Sequence, residues 1–316
     1  MSESIRIGVS ACALGEQVRH DGTHAQNHYL TETFRKYVEF IPLCPELACG
    51  MRIPRERVRQ IDCAGDIRLI GEFSGEDWSD RMNQWVNRIL PGLEEDELSG
   101  FVFKSHSPSC ALVQGKIHST TGKSPRRGTG FFARRMIEHF PLLPIEASTR
   151  LHNPYTRENF LRRVFVYKRW QNLIREEKKI GRLLDFHARH KMLIRAHDLK
   201  GYREMGKLLG ESSVSNTDKI FDQYAHQLFQ SLKLKATPTK NADVLMHVLG
   251  FFKKQLGHAD KAELLEMIQN YKNGELPLLV PVTVLNHYAR KYDIPYLMQQ
   301  YYLNPDKTEL KLLNHV

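Results

Sequence analysis

The sequence predicts an α/β N-terminal domain with an open, mostly parallel sheet, followed by an all-α C-terminal domain. Up to about residue 150, short β-branched segments alternate with helical ones, the pattern of parallel strands joined by crossover helices. Beyond it, apolar residues recur only at helical spacing. Charge changes at the same place: residues 1–153 hold 19 Lys and Arg against 19 Asp and Glu, and residues 154–316 hold the other 27 against 17. The net charge of +10 therefore belongs wholly to the second half. A chain of 316 residues can build two cores, and these shifts divide it into domains 1–152 and 153–316.

In chain order, Ile5 to Ser10 is short, alternating and β-branched, a strand that ends just before Cys12. A polar loop from Gly15 to Gly22 leads to a helical stretch near His28 to Tyr37. Val38 to Leu43 is a second strand and runs directly into Cys44-Pro45-Glu46. Ile67 to Ile70 is a further strand. Trp78 to Leu90 is an amphipathic helix with Met82, Trp85, Val86 and Ile89 on one face and a stop at Pro91-Gly92. Gly100 to Phe103 is a strand followed by the run Lys104 to Cys110. A helix from Gly130 to His139 and a strand from Leu143 to Ile145 close the unit.

Open α/β sheets bind ligands beyond the carboxyl ends of their strands. Cys12, Cys44 and Cys110 each follow such an end, so residues far apart in sequence would converge in space. Three thiolates in one crevice suit an iron–sulfur cluster or zinc. Structural zinc sites usually carry close Cys-x-x-Cys pairs, and none occurs here. A cluster held by three thiolates, with one iron left open, fits the spacing better. Cys49 shares a loop with Cys44 and is a ligand, a sulfur acceptor or a bystander. Cys63 reads as a buried small hydrophobe.

Several classes are excluded. No run nears the roughly 18 apolar residues of a membrane span, and Met1 to Arg6 lacks the order of a secretory signal, so the chain reads as cytoplasmic. Five cysteines, an odd number, do not form a disulfide framework in a reducing compartment. Gly122-Lys123-Ser124 invites comparison with a phosphate loop, but Ile117 stands where that loop requires glycine; a nucleotide triphosphate site is excluded.

Ser10-Ala11-Cys12, Val18-Arg19-His20-Asp21-Gly22, Cys44-Pro45-Glu46, Ile53-Pro54-Arg55 and Lys104-Ser105-His106-Ser107-Pro108-Ser109-Cys110 resemble the thiouracil desulfidase (TudS-type) family, in the family's order, over about residues 5–150. The resemblance implies a 4Fe-4S cluster on Cys12, Cys44 and Cys110 whose free iron takes the sulfur of a thiocarbonyl. It implies Glu46 as the proton-transfer carboxylate and Ser107 as a polar partner near the substrate. The chain departs from the pattern at His20, where Tyr is frequent, at Ala111, where Gly is usual, and at Cys49, which leaves Cys49 as the alternative middle ligand to Cys44. Glu46 is tied to a proposed ligand through the stiff Pro45, and a carboxylate in a partly dry crevice serves as general acid or base. Ser107, before a proline, equally suits a turn cap. Arg19 and Asp21 flank an Asp-Gly turn and either bind the base or close the loop. Lys123, Arg126 and Arg127 lie in a basic, turn-rich loop that either holds a backbone phosphate or is simply solvated.

The second half is dense in cations: residues 157–207 carry 15 Lys and Arg against 6 Asp and Glu, interleaved with aromatics. Arg162, Arg163, Lys168 and Arg169 are the candidates for RNA contact, where phosphates supply affinity and bases stack. Helices are expected at Phe160 to Ile174, Leu183 to Ile194, Thr217 to Lys233, Asp243 to Leu256, Lys261 to Tyr271 and Val282 to Tyr292. His187, His190 and His197 share a helical face and read as core or RNA-facing rather than metal-binding. The segments Phe186 to Lys191, Asn241 to Leu256 and Leu276 to Pro281 with His287-Tyr288 resemble the helical domain often fused behind this desulfidase module. That fused architecture is similar to the bacterial desulfidases that return 4-thiouridine in tRNA to uridine. The expectation is therefore a desulfidase acting on 4-thiouridine in tRNA with release of sulfide. One alternative is a desulfidase of free thiolated bases such as thiouracil. Another is a non-catalytic RNA-binding protein with a structural or sensory metal.

Overall fold

The computed structural model describes residues 4–121, 124–211 and 216–314. It comprises an N-terminal α/β domain and an all-α C-terminal domain. Two compact units are formed, one by residues up to Lys168 together with the segment from Leu312, the other by Arg169–Lys311.

The first unit has eight strands: β1 (Arg6–Ser10), β2 (Glu39–Leu43), β3 (Val58–Cys63), β4 (Asp66–Gly71), β5 (Gly100–Phe103), β6 (Gly115–Ser119), β7 (Arg126–Gly128) and β8 (Ile145–Ala147). The main sheet runs β2-β1-β5-β8 and every pairing is parallel. A parallel sheet is covered on both faces, and the burial shows it. Phe101 and Phe103 pack with Met82, Val86, Leu90, Phe132 and Met136 on one side. Ile7, Val9 and Val102 pack with Leu30, Phe34, Phe160, Val164 and Leu312 on the other. Gly8 is required at the centre, because a Cβ there would lie 2.3 Å from the Phe101 ring.

Helix α1 (Pro45–Ala48) follows β2, α2 (Ser79–Glu95) follows β4, and α3 (Phe131–His139) precedes β8. A second sheet, β4-β3-β6-β7, is mixed: β3 pairs antiparallel with β4 and parallel with β6, and β6 pairs antiparallel with β7. Its inner residues Val58, Gln60, Leu69 and Ile117 are buried, and Arg134 of α3 donates to Gln60 Oε1 at 3.0 Å.

The structure differs from the sequence expectation in several places. Helix α2 does not stop at Pro91-Gly92 but continues to Glu95. Met82, Val86, Leu90 and Leu93 form one buried stripe, and burying Leu93 outweighs the one hydrogen bond that Pro91 removes. Residues 29–36 form a π turn and a 3-10 turn instead of a regular helix. Cys63 is exposed at the end of β3, not buried, because β3 turns back at Ala64-Gly65 with both residues at positive φ. The last strand begins at Ile145, two residues later than expected.

The second unit contains the end of α4 (Pro154–Arg175), then α5 (Ile180–His197), α6 (Leu199–Gly210), α7 (Thr217–Lys233), α8 (Pro238–Leu249), α9 (His258–Asn273), α10 (Leu279–Lys291), the short α11 (Pro295–Met298) and most of α12 (Lys307–Leu313). The expected helix to Leu256 breaks after Leu249 into a 3-10 turn, Gly250–Phe252. No described helix is long and apolar enough to cross a membrane.

His187, His190 and His197 are core residues. His187 Nδ1 lies 3.0 Å from the Tyr224 hydroxyl, and His190 Nδ1 donates to the Phe186 carbonyl at 2.7 Å. Burial holds His187 down at about 4 and His190 well below its usual range. Folded His187 thus stays neutral where the unfolded residue, near 6.5, takes up a proton. Stability due to it is present above about 6.5 and is lost as pH falls toward 4. Between pH 7 and pH 5 this one residue is expected to remove about 2 kcal/mol. Denaturant unfolding of wild type and His187→Gln at both pH values checks this; equal pH dependence in the two proteins contradicts it.

Candidate active site

In the main sheet β1 is the switch point, with β2 on one side and β5 on the other, so the loops after their carboxyl ends diverge and leave a crevice. A cavity of about 290 Å³ occupies it, lined by Cys12, Cys44 and Cys110 from the three loops, with Glu46, Ser107, Arg55 and Lys104 among the other walls.

Local structure places each thiol. Cys12 sits in a 3-10 turn, Ala11–Leu14, which ends at Gly15 with φ 96°. Cys44 is the N-cap residue of α1, and its thiol donates to the Val18 carbonyl at 3.9 Å. Cys110 lies in a loop seated on the amino end of α3. The Phe131 N–H donates to the Pro108 carbonyl, and the Phe132 and Ala133 N–H groups donate to the Ser109 carbonyl. Gly130 permits that approach, since a Cβ there would lie 2.6 Å from the Ser109 backbone. His106, just before, has φ 56°, the kind of local strain that clusters at functional sites. Ser10 Oγ accepts from the Lys104 N–H at 2.9 Å and ties the ends of β1 and β5 together.

Burial is the main cause that pushes the Cys12 thiol up to about 11 and raises Cys44 and Cys110, the last furthest. The neighbouring thiols add to the rise, Cys44 on Cys12 and both on Cys110. Such thiols are neutral by themselves and ionise when a cation binds them. Among the described residues, no group of three or more His, Cys, Asp or Glu side chains could hold a single ion. All three thiols line the one cavity, and thiols are the soft donors that an iron–sulfur group takes.

Glu46 is anchored. Arg55 Nη2 donates to its Oε2 at 2.6 Å and Nε at 3.2 Å, and Ser109 Oγ donates to Oε1 at 2.9 Å. Arg55 and Glu46 side chains are 8% and 16% exposed, so the pair is largely out of water. Arg55 and Ser109 were visible in the sequence only as motif residues; nothing in a nine-residue spacing announces that Arg55 grips Glu46. Ser107 Oγ accepts from the Ser109 and Cys110 N–H groups at 3.2 Å each, so it caps the turn while still lining the cavity. Cys49 is in the hydrophobic core beside Met51, and its thiol donates to the Glu46 carbonyl at 3.3 Å; it does not line the cavity.

Arg19 lines the cavity but also closes its loop, donating to Thr23 Oγ1 at 2.9 Å. Asp21 accepts from the Thr23 N–H and hydroxyl, which with Arg19 nearby hold its carboxyl down at about 2, and it stays outside the cavity wall. Lys123 lies outside the described residues. Arg126 is exposed and pairs with Asp62 at 3.0 Å; Arg127 is exposed.

The four cations of α4 do not face solvent as the sequence suggests. Arg162 donates to Glu158 at 2.9 Å, Arg163 approaches Glu146 at 3.7 Å, and Lys168 approaches Glu97 at 3.7 Å. Arg169 pairs with Asp306 at 2.7 Å and with Glu309. Buried guanidinium and ammonium groups need such partners, and the pairs keep these side chains from RNA phosphates.

A parallel α/β sheet with three thiols and a gripped carboxylate at its switch point, followed by a helical domain, defines the class of protein. The family described as 2-thiouracil desulfurase matches residues 7–148, and the family described as a protein of unknown function, DUF1722, matches residues 191–306. The chain thus joins a 2-thiouracil-desulfurase-like domain to a DUF1722 helical domain. It is 31% identical over 146 residues to the Uncharacterized protein YbgA of Escherichia coli (strain K12), which covers 46% of this chain and 86% of YbgA, and it belongs to the same family as YbgA. Among solved structures it is similar to the 4Fe-4S-dependent thiouracil desulfidase TudS, at 25% identity and a TM-score of 0.36, over 47% of this chain and 94% of that one.

Proposed function

We propose that the protein is a desulfidase that replaces the thiocarbonyl sulfur of a thiolated uracil ring with oxygen, using a 4Fe-4S cluster on Cys12, Cys44 and Cys110. The observation that supports this most strongly is the meeting of three thiols and the gripped Glu46 round one cavity, in a domain related to a desulfurase family. When bound, such a cluster supplies an iron without a protein ligand, a Lewis acid with affinity for sulfur. The chain's own residues handle the proton traffic. Thiocarbonyl plus water gives carbonyl plus hydrogen sulfide, so atoms and electrons balance without a redox partner. Glu46 takes a proton from the attacking water and returns it to the leaving sulfur. Arg55 and Ser109 fix its carboxylate, and the Ser107 hydroxyl donates toward the ring.

A free thiolated base or nucleoside is the better supported substrate, since the matching family is described by 2-thiouracil. The tRNA-borne 4-thiouridine expected from the sequence stands second, favoured by the cationic face described below. Protein reconstituted with iron and sulfide under anaerobic conditions is tested on 2-thiouracil, 4-thiouridine and bulk tRNA containing 4-thiouridine. Sulfide release with an equal gain of the oxygenated product is expected, and the preferred substrate decides between the readings. No release from any of them, with the iron verified, refutes the desulfidase reading and supports a structural or sensory metal.

A further inference from the structure

The second sheet has two unlike faces. Val58, Gln60, Leu69 and Ile117 point inward and are buried, so strand alternation turns the residues between them outward. On that outer face Arg59 of β3, Lys116 of β6 and Arg127 of β7 are exposed. Gln60 pairs with Ile117, which sets the preceding residues Arg59 and Lys116 side by side, and Lys116 is directly opposite Arg127. Three neighbouring strands thus present one cation each in a single row.

Like charges set opposite one another in a sheet cost stability. Elsewhere on this sheet the cost is removed: Arg68 has Asp66 at 2.7 Å and Arg126 has Asp62 at 3.0 Å. Arg59, Lys116 and Arg127 have no carboxylate partner among the described residues. Nor is the row a by-product of a basic domain, because residues 1–153 carry no net charge.

The row leads to the cavity. Arg57, two residues before Arg59 on the same face, is exposed, lines the cavity and donates from Nε to His20 Nε2 at 3.1 Å. Beside it the loop after β4 is clamped: the Glu72 N–H donates to the Arg57 carbonyl at 2.8 Å, and the Phe73 and Ser74 N–H groups donate to Glu56 at 2.6 and 3.0 Å. The clamp fixes the backbone yet leaves the Phe73 ring 86% exposed, the most exposed large apolar side chain among the described residues. An exposed aromatic at the Arg57 end of the sheet and a row of cations along it supply the two parts that a nucleic acid strand needs, a stacking platform and a phosphate track.

We infer that the outer face of the second sheet binds an RNA strand, with phosphates along Arg59, Lys116 and Arg127 and a base stacked on Phe73, next to the residue that enters the cavity past Arg57. The inference rests on the thiolated-uracil reading of the cavity for what enters there, and it adds a polynucleotide-borne ring to the free base as a substrate. A free base would leave the cationic row unused.

The test is equilibrium binding of fluorescein-labelled bulk tRNA to the full-length chain, read by anisotropy over a salt series. Arg59→Gln/Lys116→Gln is expected to weaken binding about tenfold and to lower the slope of log affinity against log salt by roughly 2. Phe73→Ala is expected to weaken binding about tenfold with an unchanged slope. Both variants should melt at or above the wild-type temperature, since repulsion or exposed apolar surface is removed. A double variant that binds with wild-type affinity and slope overturns the inference while leaving the desulfidase reading intact. Wild type that does not bind tRNA at all, while releasing sulfide from 2-thiouracil, overturns the inference and the tRNA substrate together. Absence of sulfide release from every substrate, with tRNA binding still weakened in the double variant, overturns the desulfidase reading alone.

Discussion

Cys44→Ser is expected to lose its iron and to fall about a hundredfold or more in sulfide release, whereas Cys49→Ser keeps its iron. The two thiols are five residues apart but differ in surroundings. Cys44 ends β2 and lines the cavity; Cys49 is turned into the apolar core with Met51 and Phe103. Serine at position 49 places a hydroxyl in that core and costs on the order of 1–2 kcal/mol unless it keeps the bond to the Glu46 carbonyl. Iron and acid-labile sulfide per chain, measured after anaerobic reconstitution, separate a lost ligand from lost stability. Iron retained by Cys44→Ser and lost from Cys49→Ser would reverse the assignment of the middle ligand.

Glu46→Gln is expected to keep its iron and lose about 10²- to 10⁴-fold in turnover, the range that a positioned proton-transfer group supplies. Glutamine preserves shape and can still accept from Ser109, but it cannot carry a proton between water and sulfur. It also leaves Arg55 as a largely buried cation without its counter-ion, an effect on the order of 3 kcal/mol in stability. Arg55→Lys keeps the charge but not the forked grip, so it should show a smaller loss of turnover with the carboxylate still present. Steady-state sulfide release at matched iron content measures both. A Glu46→Gln protein that turns over at the wild-type rate removes Glu46 from the chemistry.

The main sheet and its cysteines were legible in the sequence because both follow from short-range signals. β1, β2 and β5 are short and mostly apolar, and each is followed by a segment that carries one of the thiols lining the cavity. Of the second sheet only β4 was legible; β3, β6 and β7 were not. Lys116 and His118 interrupt β6, and β7 is only Arg126, Arg127 and Gly128, so neither shows an apolar period. These strands exist because their partners do: Gln60, Ile117 and Arg126 align only once the chain has returned from far away. The same limit applies to charge. Arg163 and Lys168 look like an RNA-facing run on α4, yet Glu146 and Glu97, which neutralise them, lie 17 and 71 residues back in the chain. Arg59, Lys116 and Arg127, which have no carboxylate partner among the described residues, come from three separate segments of a domain with no net charge. Composition by halves pointed away from them.

The most direct measurement is anaerobic turnover of 2-thiouracil by the reconstituted protein in water enriched in oxygen-18. Uracil carrying one heavy oxygen, formed in equal amount with sulfide and abolished in Cys110→Ser, is the result that a three-thiol hydrolytic site predicts. Full iron loading with neither uracil nor sulfide formed, from this substrate or from thiolated tRNA, would contradict it.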